Sequence, residues 1–197
     1  MVKAAEGSAM ATGTTVDHEI TGGVYSMLAS ETLAKVMSRN LDAVGGEKWT
    51  PEEIAWATEL QKSLPTQKPL DSVTQTSSRE RGPDGGGSTD VSDISWTVPT
   101  IGLSTATWVP GTPAHSWQAV AASGSSIGIK GAAVAAKTIA LTAADLLLSP
   151  ETLATAKAEL DKARGPAFRY DALLGKRAPA LDYRKPTPAW EGTAKSN

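Results

Sequence analysis

Residues 100–148, TIGLSTATWVPGTPAHSWQAVAASGSSIGIKGAAVAAKTIALTAADLLL, decide how this chain is read. Thr100 to Val109 is rich in β-formers and predicts a strand. A proline-punctuated loop, Pro110, Gly111, Thr112 and Pro113, then delivers Ala114, His115, Ser116 and Trp117. Ser125 or Ser126 caps a long helix that ends near Leu148. Strand, stiff loop and long helix in succession predict an α/β architecture. The apolar stretch from Ile127 to Leu148 has the length of a bilayer span, but it carries Lys130, Lys137 and Asp145 and is rich in Gly and Ala. It reads as a core helix of a protein with no membrane partner.

On the N-terminal side, residues 2–12 (VKAAEGSAMAT) are good helix formers closed by Gly13, and Thr14 to Thr21 alternates so that Val16, His18 and Ile20 share one strand face. Gly22-Gly23 ends that strand and makes a hinge. Ser30 caps a helix whose stripe is Leu33, Val36, Met37 and Leu41 and whose stop is Gly45-Gly46. Thr50, Pro51, Glu52 and Glu53 form a capping box with proline at the first helical position, followed by Ile54, Ala57, Leu60 and Leu64 on one face. Residues 65–88 contain almost no apolar side chain, which marks a long disordered or functional loop. Thr89 or Asp90 caps a short turn holding Val91, Ile94 and Trp96. Ser149, Pro150 and Glu151 start a helix with Leu153, Ala156 and Leu160 on its stripe and Gly165-Pro166 as its stop. The last residues, with Pro179, Pro186 and Pro188, predict an extended arm. Helices outnumber strands, and neither strand has an adjacent hairpin partner. Pairing strands are therefore expected from another chain or from a missing N-terminal portion.

The chain has 197 residues, 40% of them hydrophobic and 20% charged, with 19 basic residues, 21 acidic residues and a net charge of −2. That allows one domain with a sizeable core. The absence of cysteine excludes a disulfide scaffold and a thiolate metal site. Balanced charge lacks the clustered Lys and Arg that nucleic acid or an anionic membrane surface requires. The opening MVKAAEGSAMATGTT has no apolar run of secretory-signal length, so a cytoplasmic location is expected.

With two histidines in all, a site built from several histidines within this chain is impossible. His18, inside the alternating TTVDHEIT, reads as structural or surface. His115 follows a predicted strand in a loop stiffened by two prolines, where α/β enzymes place ligands and general bases, although loop histidines are often simply solvated. Gly85-Gly86-Gly87-Ser88-Thr89-Asp90 joins a loop to a helix start. Its N–H groups and two hydroxyls suit an anion such as a carboxylate; the plainer reading is a glycine linker ending in an ordinary N-cap. No Gly-Lys-Ser/Thr follows, which excludes a nucleotide loop. Glu52 and Glu53 are explained by helix capping. The lack of a Gly-x-Ser-x-Gly elbow argues against a serine hydrolase.

Three stretches carry a resemblance: GGVYSMLASETLAKVMSRNL (residues 22–41), GGGSTDVSDISWTVPTIGLSTATWVPGTPAHSWQAVAASGSSIGIKGAAVAAKTIALTAADLL (85–147) and FRYDALLGKRAPALDYRK (168–185). Together they resemble the C-terminal portion of amidohydrolases of the aminobenzoyl-glutamate-cleaving kind, within the family of co-catalytic zinc aminoacylases, carboxypeptidases and dipeptidases. The resemblance implies an α/β fold: the returning half of a zinc-peptidase-like catalytic domain, with mixed sheet and flanking helices, in residues 25–197. It implies that residues 1–24 hold the last helix and strand of a lid domain through which family members dimerise. It further implies that His115 is the last metal ligand of a two-zinc centre. Gly87, Ser88 and Thr89 would approach the carboxylate of a small-molecule amide substrate, with Asp90 ordering that segment.

The family's remaining ligands and its general-base glutamate lie upstream of the lid. Here His18 is followed by Glu19 and Ile20, so the His-x-Asp ligand pattern is missing, and the one Glu-Glu pair is the capping pair. A zinc ion keeps three or four protein ligands, which one histidine does not provide. The expectation is a C-terminal fragment of a metal-dependent amidohydrolase, acting on p-aminobenzoyl-glutamate, acyl-amino acids or dipeptides and inactive alone. Its partner would be the missing N-terminal catalytic half or a full-length relative. The alternative is a non-catalytic binding or assembly protein, or a truncated relic of that family.

Overall fold

The computed structural model describes residues 1–76, 89–176, 178, 179 and 181. They divide into two compact units, Met1–Gly23 with the described residues from Asp171 onward, and Val24–Tyr170. The predicted anion segment through Ser88 and most of the predicted C-terminal arm lie outside the described residues.

In the first unit, α1 (Val2–Thr12) ends at Gly13, whose φ of 65° is the left-handed conformation that closes a helix. Ala9 is its buried residue.

The second unit holds α2 (Glu31–Val44), α3 (Pro51–Gln61), a 3₁₀ turn over Leu70–Thr74, α4 (Val91–Ser95), α5 (Trp117–Ser123), α6 (Ser126–Leu148) and α7 (Pro150–Arg164). The caps explain most of these boundaries. Ser30 Oγ accepts from Leu33 N–H, and Thr50 and Glu53 close a reciprocal capping box ahead of α3. Ser116 and Ser125 cap α5 and α6. The N-terminus of α2 is also capped from a distance. Glu159 on α7 accepts from Glu31 N–H at 2.6 Å, Thr32 N–H at 3.1 Å and Ser30 Oγ at 2.9 Å. Burial pushes the Glu159 carboxyl up, but these donors at a helix N-terminus outweigh it and hold the group below its ordinary range.

The apolar core is small: Ala57, Leu60, Leu64, Val109, Ala122 and Ile127, with Trp49, Leu70 and Trp108 packed against it. It joins α3 to α5 and to the first turn of α6. The remainder of α6 runs along α2, and polar bonds tie the two helices together. Asn40 Nδ2 donates to Thr142 Oγ1 at 3.2 Å and to Asp145 Oδ2 at 2.9 Å, and Arg39 pairs with Asp145 at 2.9 Å.

The expected α/β fold with a mixed sheet does not form: the described residues are helical and contain no strand. Residues 14–21 and 100–109, both expected as strands, are irregular. The second of them starts on one isolated parallel bridge, Thr100 to Ala29, with Ser30 N–H donating to Thr100 O at 2.9 Å. The physical reason is that β-rich composition makes a segment compatible with a ladder, but a strand also needs a neighbour along its length. Residues 100–109 lie against a helix instead. Thr105 Oγ1 donates to the carbonyl of Gly131 on α6, and a Cβ at Gly131 would run into the carbonyl of Ala106, so only glycine permits this approach. Thr107 N–H folds back onto Thr105 O at 3.0 Å, which breaks the extended run. The core-helix expectation for α6 also fails on one side: 17% of its most apolar window is buried.

Candidate functional site

His115 sits in a loop that the core fastens on both sides. Val109 is 1% exposed and anchors the loop's start. At Gly111 the φ of 96° and the close approach of Thr66 O both require glycine. Gln61, at the end of α3, donates from Nε2 to Lys68 O at 2.7 Å and to Pro110 O at 3.1 Å. Beyond the histidine, Gln118 Nε2 donates to Ser63 O at 3.2 Å and to Ser63 Oγ at 3.3 Å. Ser116 Oγ donates to Pro113 O at 2.8 Å and accepts from Ala119 N–H at 3.2 Å.

Between these fastenings His115 is exposed and adopts a φ of 59°, the one positive φ of a non-glycine residue among those described. A left-handed conformation costs an L-residue about 1–2 kcal/mol. Such strain persists where neighbouring structure imposes it, and it concentrates at functional positions. The adjacent Trp117 is 63% exposed. The loop thus presents an imidazole and an indole to the outside from a fixed base.

The other expected site residues are placed less decisively. Gly87 and Ser88 lie outside the described residues. Thr89 Oγ1 accepts from Val91 N–H at 3.3 Å, and Thr89 O accepts from Ser92 N–H at 3.1 Å, so Thr89 organises the start of α4. Asp90 is the N-cap residue and its side chain makes no capping bond. No hydrogen bond or ion pair among the described residues joins His115 to Thr89 or Asp90. His18 is exposed, its backbone N–H donating to Asp17 Oδ1 at 2.8 Å. The far end of α4 is fixed by an aromatic cluster: Trp96 lies 5.5 Å from Tyr25 and 5.0 Å from Phe168, ring centre to ring centre.

A second polar cluster surrounds the first turns of α6, and the sequence revealed only half of it. Glu53 closes its capping box, accepting from Thr50 N–H at 2.7 Å, and also pairs with Lys130 at 2.5 Å and accepts from Ser126 Oγ at 2.7 Å. The Lys130 ammonium and the Ser126 hydroxyl hold its carboxyl at about 2. Glu47 is 4% exposed; its Oε2 accepts from Trp49 Nε1 at 2.7 Å, and its Oε1 has no partner among the described residues. Burial pushes the Glu47 carboxyl up, against the pull of Trp49 and Lys130, and Glu53 adds to the rise. Glu47 carries no cap or periodicity signal. Gln61 and Gln118 were also missed, although Gln61, four residues after Ala57 on the buried stripe, was a polar residue in an apolar position.

Among the described residues no three His, Asp or Glu side chains converge as a metal ion requires. His115 is a single donor, so these residues do not by themselves make a zinc site. An open depression of about 280 Å³ lies between α2 and the α6–α7 junction, walled by Val36, Leu146 and the Arg39–Asp145 pair. None of the expected site residues lines it.

No family model matches the chain, and no solved structure matches it. A curated protein does, one of the subunits of the p-aminobenzoyl-glutamate hydrolase of Escherichia coli (strain K12), at 31% identity over 184 residues. The chain is similar to the C-terminal part of that hydrolase subunit. The match covers 81% of this chain and 38% of the E. coli polypeptide, so more than half of that polypeptide has no counterpart here.

Proposed function

We propose that this chain supplies part of an amide hydrolase that cleaves next to a carboxylate-bearing group, with p-aminobenzoyl-glutamate as the first substrate to test. The observation that carries this reading is the 31% identity to the p-aminobenzoyl-glutamate hydrolase subunit of E. coli. On this reading the chain's contribution to chemistry is a donor held in place. His115 brings one imidazole, on a loop fastened by Gln61 and Gln118, to a zinc site whose other ligands come from polypeptide outside this chain. On this reading Gly87, Ser88 and Thr89 meet the substrate carboxylate, next to Asp90 at the start of α4.

The test is zinc content and hydrolysis of p-aminobenzoyl-glutamate by the purified chain, alone and co-expressed with the part of the E. coli hydrolase subunit outside the match. Zinc binding and turnover in the mixture only, both lost in His115→Ala, are the expected result. A folded chain that gains neither in the mixture overturns the reading and leaves a binding protein.

A further inference from the structure

The outward side of α6 is more apolar than its inward side. Inward, Ile127 is fully buried and Val134 and Ala135 are half-buried, and among them stand Lys130, bonded to Glu53, and Thr142 and Asp145, both bonded to Asn40, while the Thr138 hydroxyl is satisfied on the Val134 carbonyl of its own helix. Thr138 is fully buried and Thr142 is 4% exposed. Its outward side is apolar along the whole length, with Ile129, Ala133, Ala136, Ala140, Ala144 and Leu147 recurring at helical spacing and all exposed. Ile129 is 67% and Leu147 81% exposed. A helix that is anchored on one side and apolar along its open side leaves a face for a further element or surface to cover.

We propose that this outward face of α6 is the docking surface for the part of the hydrolase subunit that lies outside this chain. The inference rests on the function proposed above. The two other coverings fit less well. By length and composition α6 suits a membrane, with a mean hydropathy of 1.5 over its best window. A spanning helix must face lipid or other membrane helices, however, and this one is tied to α2 and α3 through Lys130, Asn40 and Asp145. A second copy meets a charge problem. Lys137 stands midway along the helix, at the edge of the apolar face, with no ion-pair partner among the described residues. Two-fold pairing through this face sets Lys137 beside its own symmetry mate, and the one carboxylate on α6, Asp145, is engaged by Arg39. More than half of the E. coli hydrolase subunit has no counterpart in this chain, and that length of polypeptide is enough to cover the face. Its contact surface would be apolar, shallow enough to approach the alanines closely, and would bring a carboxylate to Lys137.

The chain has no native cysteine, so Ala140→Cys introduces a single thiol on the face and Ala154→Cys a control thiol on the exposed side of α7. Each tagged variant is co-expressed with the part of the E. coli hydrolase subunit outside the match. Complex formation is read by pull-down and maleimide labelling by rate. The expected result is a complex in which labelling of Ala140→Cys slows by about tenfold or more while Ala154→Cys is unchanged. The double variant Ala136→Glu/Ala140→Glu should keep the helix content of the chain by circular dichroism and lose the complex. A complex in which Ala140→Cys labels as fast as in the free chain overturns the docking surface and leaves the proposed function standing. Failure to form any complex overturns both. Protection that rises with the concentration of the chain alone, or that phosphatidylcholine–phosphatidylglycerol vesicles produce, assigns the face to a second copy or a membrane and overturns the proposal.

Discussion

The first turn of α6 and the rest of that helix are held by different forces. Ile127 is fully buried in an apolar core with Ala57, Leu60 and Ala122. From Gly131 onward the helix is tied to α2 by Asn40, Thr142, Asp145 and Arg39, while Ala133, Ala136, Ala140, Ala144 and Leu147 face outward. The difference teaches that the His115 loop is positioned at the apolar end of the helix, by Val109 in the core together with the Gln61 and Gln118 hydrogen bonds. The outward face is aimed by directional polar bonds along the remainder. Apolar packing resists volume changes, whereas a polar seam specifies register and adds modest net stability.

Substitutions can break this contrast in order of size. Ile127→Ala empties a fully buried site and should cost about 3 kcal/mol, within the usual large-to-small range, read as a lowered urea midpoint at unchanged slope. The His115 loop should loosen with it, seen as faster amide exchange at Ser116 to Ala119. A seam of equal strength would instead leave the loop protected.

Glu53→Gln removes the charge partner of Lys130, whose side chain is 35% exposed, and should cost roughly 2 kcal/mol, below the 3–5 of a fully buried pair. It also has a pH signature. The Glu53 carboxyl is lowered from 4.5 to about 2, so its stabilisation is fully present above pH 4.5 and is lost as pH falls toward 2. The gap between native and variant midpoints should therefore close between those two values. A gap that persists in acid would assign the effect to packing.

At the seam, Asn40→Ala removes the amide that spans Thr142 and Asp145 and should cost about 1–2 kcal/mol while leaving the His115 loop unchanged in amide exchange. A loss as large as that of Ile127→Ala would erase the contrast between the two regions.

Glu47 sharpens it in the opposite direction. Its carboxyl is raised above 4.5, so folding favours the protonated form, and that preference is present at low pH and lost as pH rises through the raised value. Glu47→Gln keeps the shape without the charge. It should equal the native chain near pH 4 and match or exceed it by up to about 1 kcal/mol at pH 7, by thermal melts at both. The smallest expected effect is at the loop. His115→Gly relieves a φ of 59° and should leave stability unchanged or raise it by up to about 1 kcal/mol. A clear loss would mean that the imidazole itself holds the loop.

Much of the helical framework was legible. Gly13, Ser30, the Thr50–Glu53 box, Ser125 and Gly165 mark ends that the structure places where those residues stand, because caps act within one turn and need no distant partner. The loop holding His115 was legible as a Pro-Gly loop, but its fastening by Gln61 and Gln118 was not, since both bonds cross some fifty residues of chain. α5 was missed because Trp117–Ser123 is a helix of 7 residues whose pattern is too short to show a period.

By itself the sequence determined most of the longer helices' ends, that cysteine and histidine chemistry is sparse, and that one loop stands out for its histidine. These follow from local backbone and side-chain chemistry. Tertiary structure alone decided that Thr100–Val109 lies against Gly131 instead of joining a sheet, that Glu159 caps a helix more than a hundred residues away, and that Lys130, Thr142 and Asp145 of α6 bond to α3 and α2 while its outward face stays apolar. Those outcomes depend on which distant groups satisfy one another's hydrogen bonds and exclude water, and local sequence does not encode that choice.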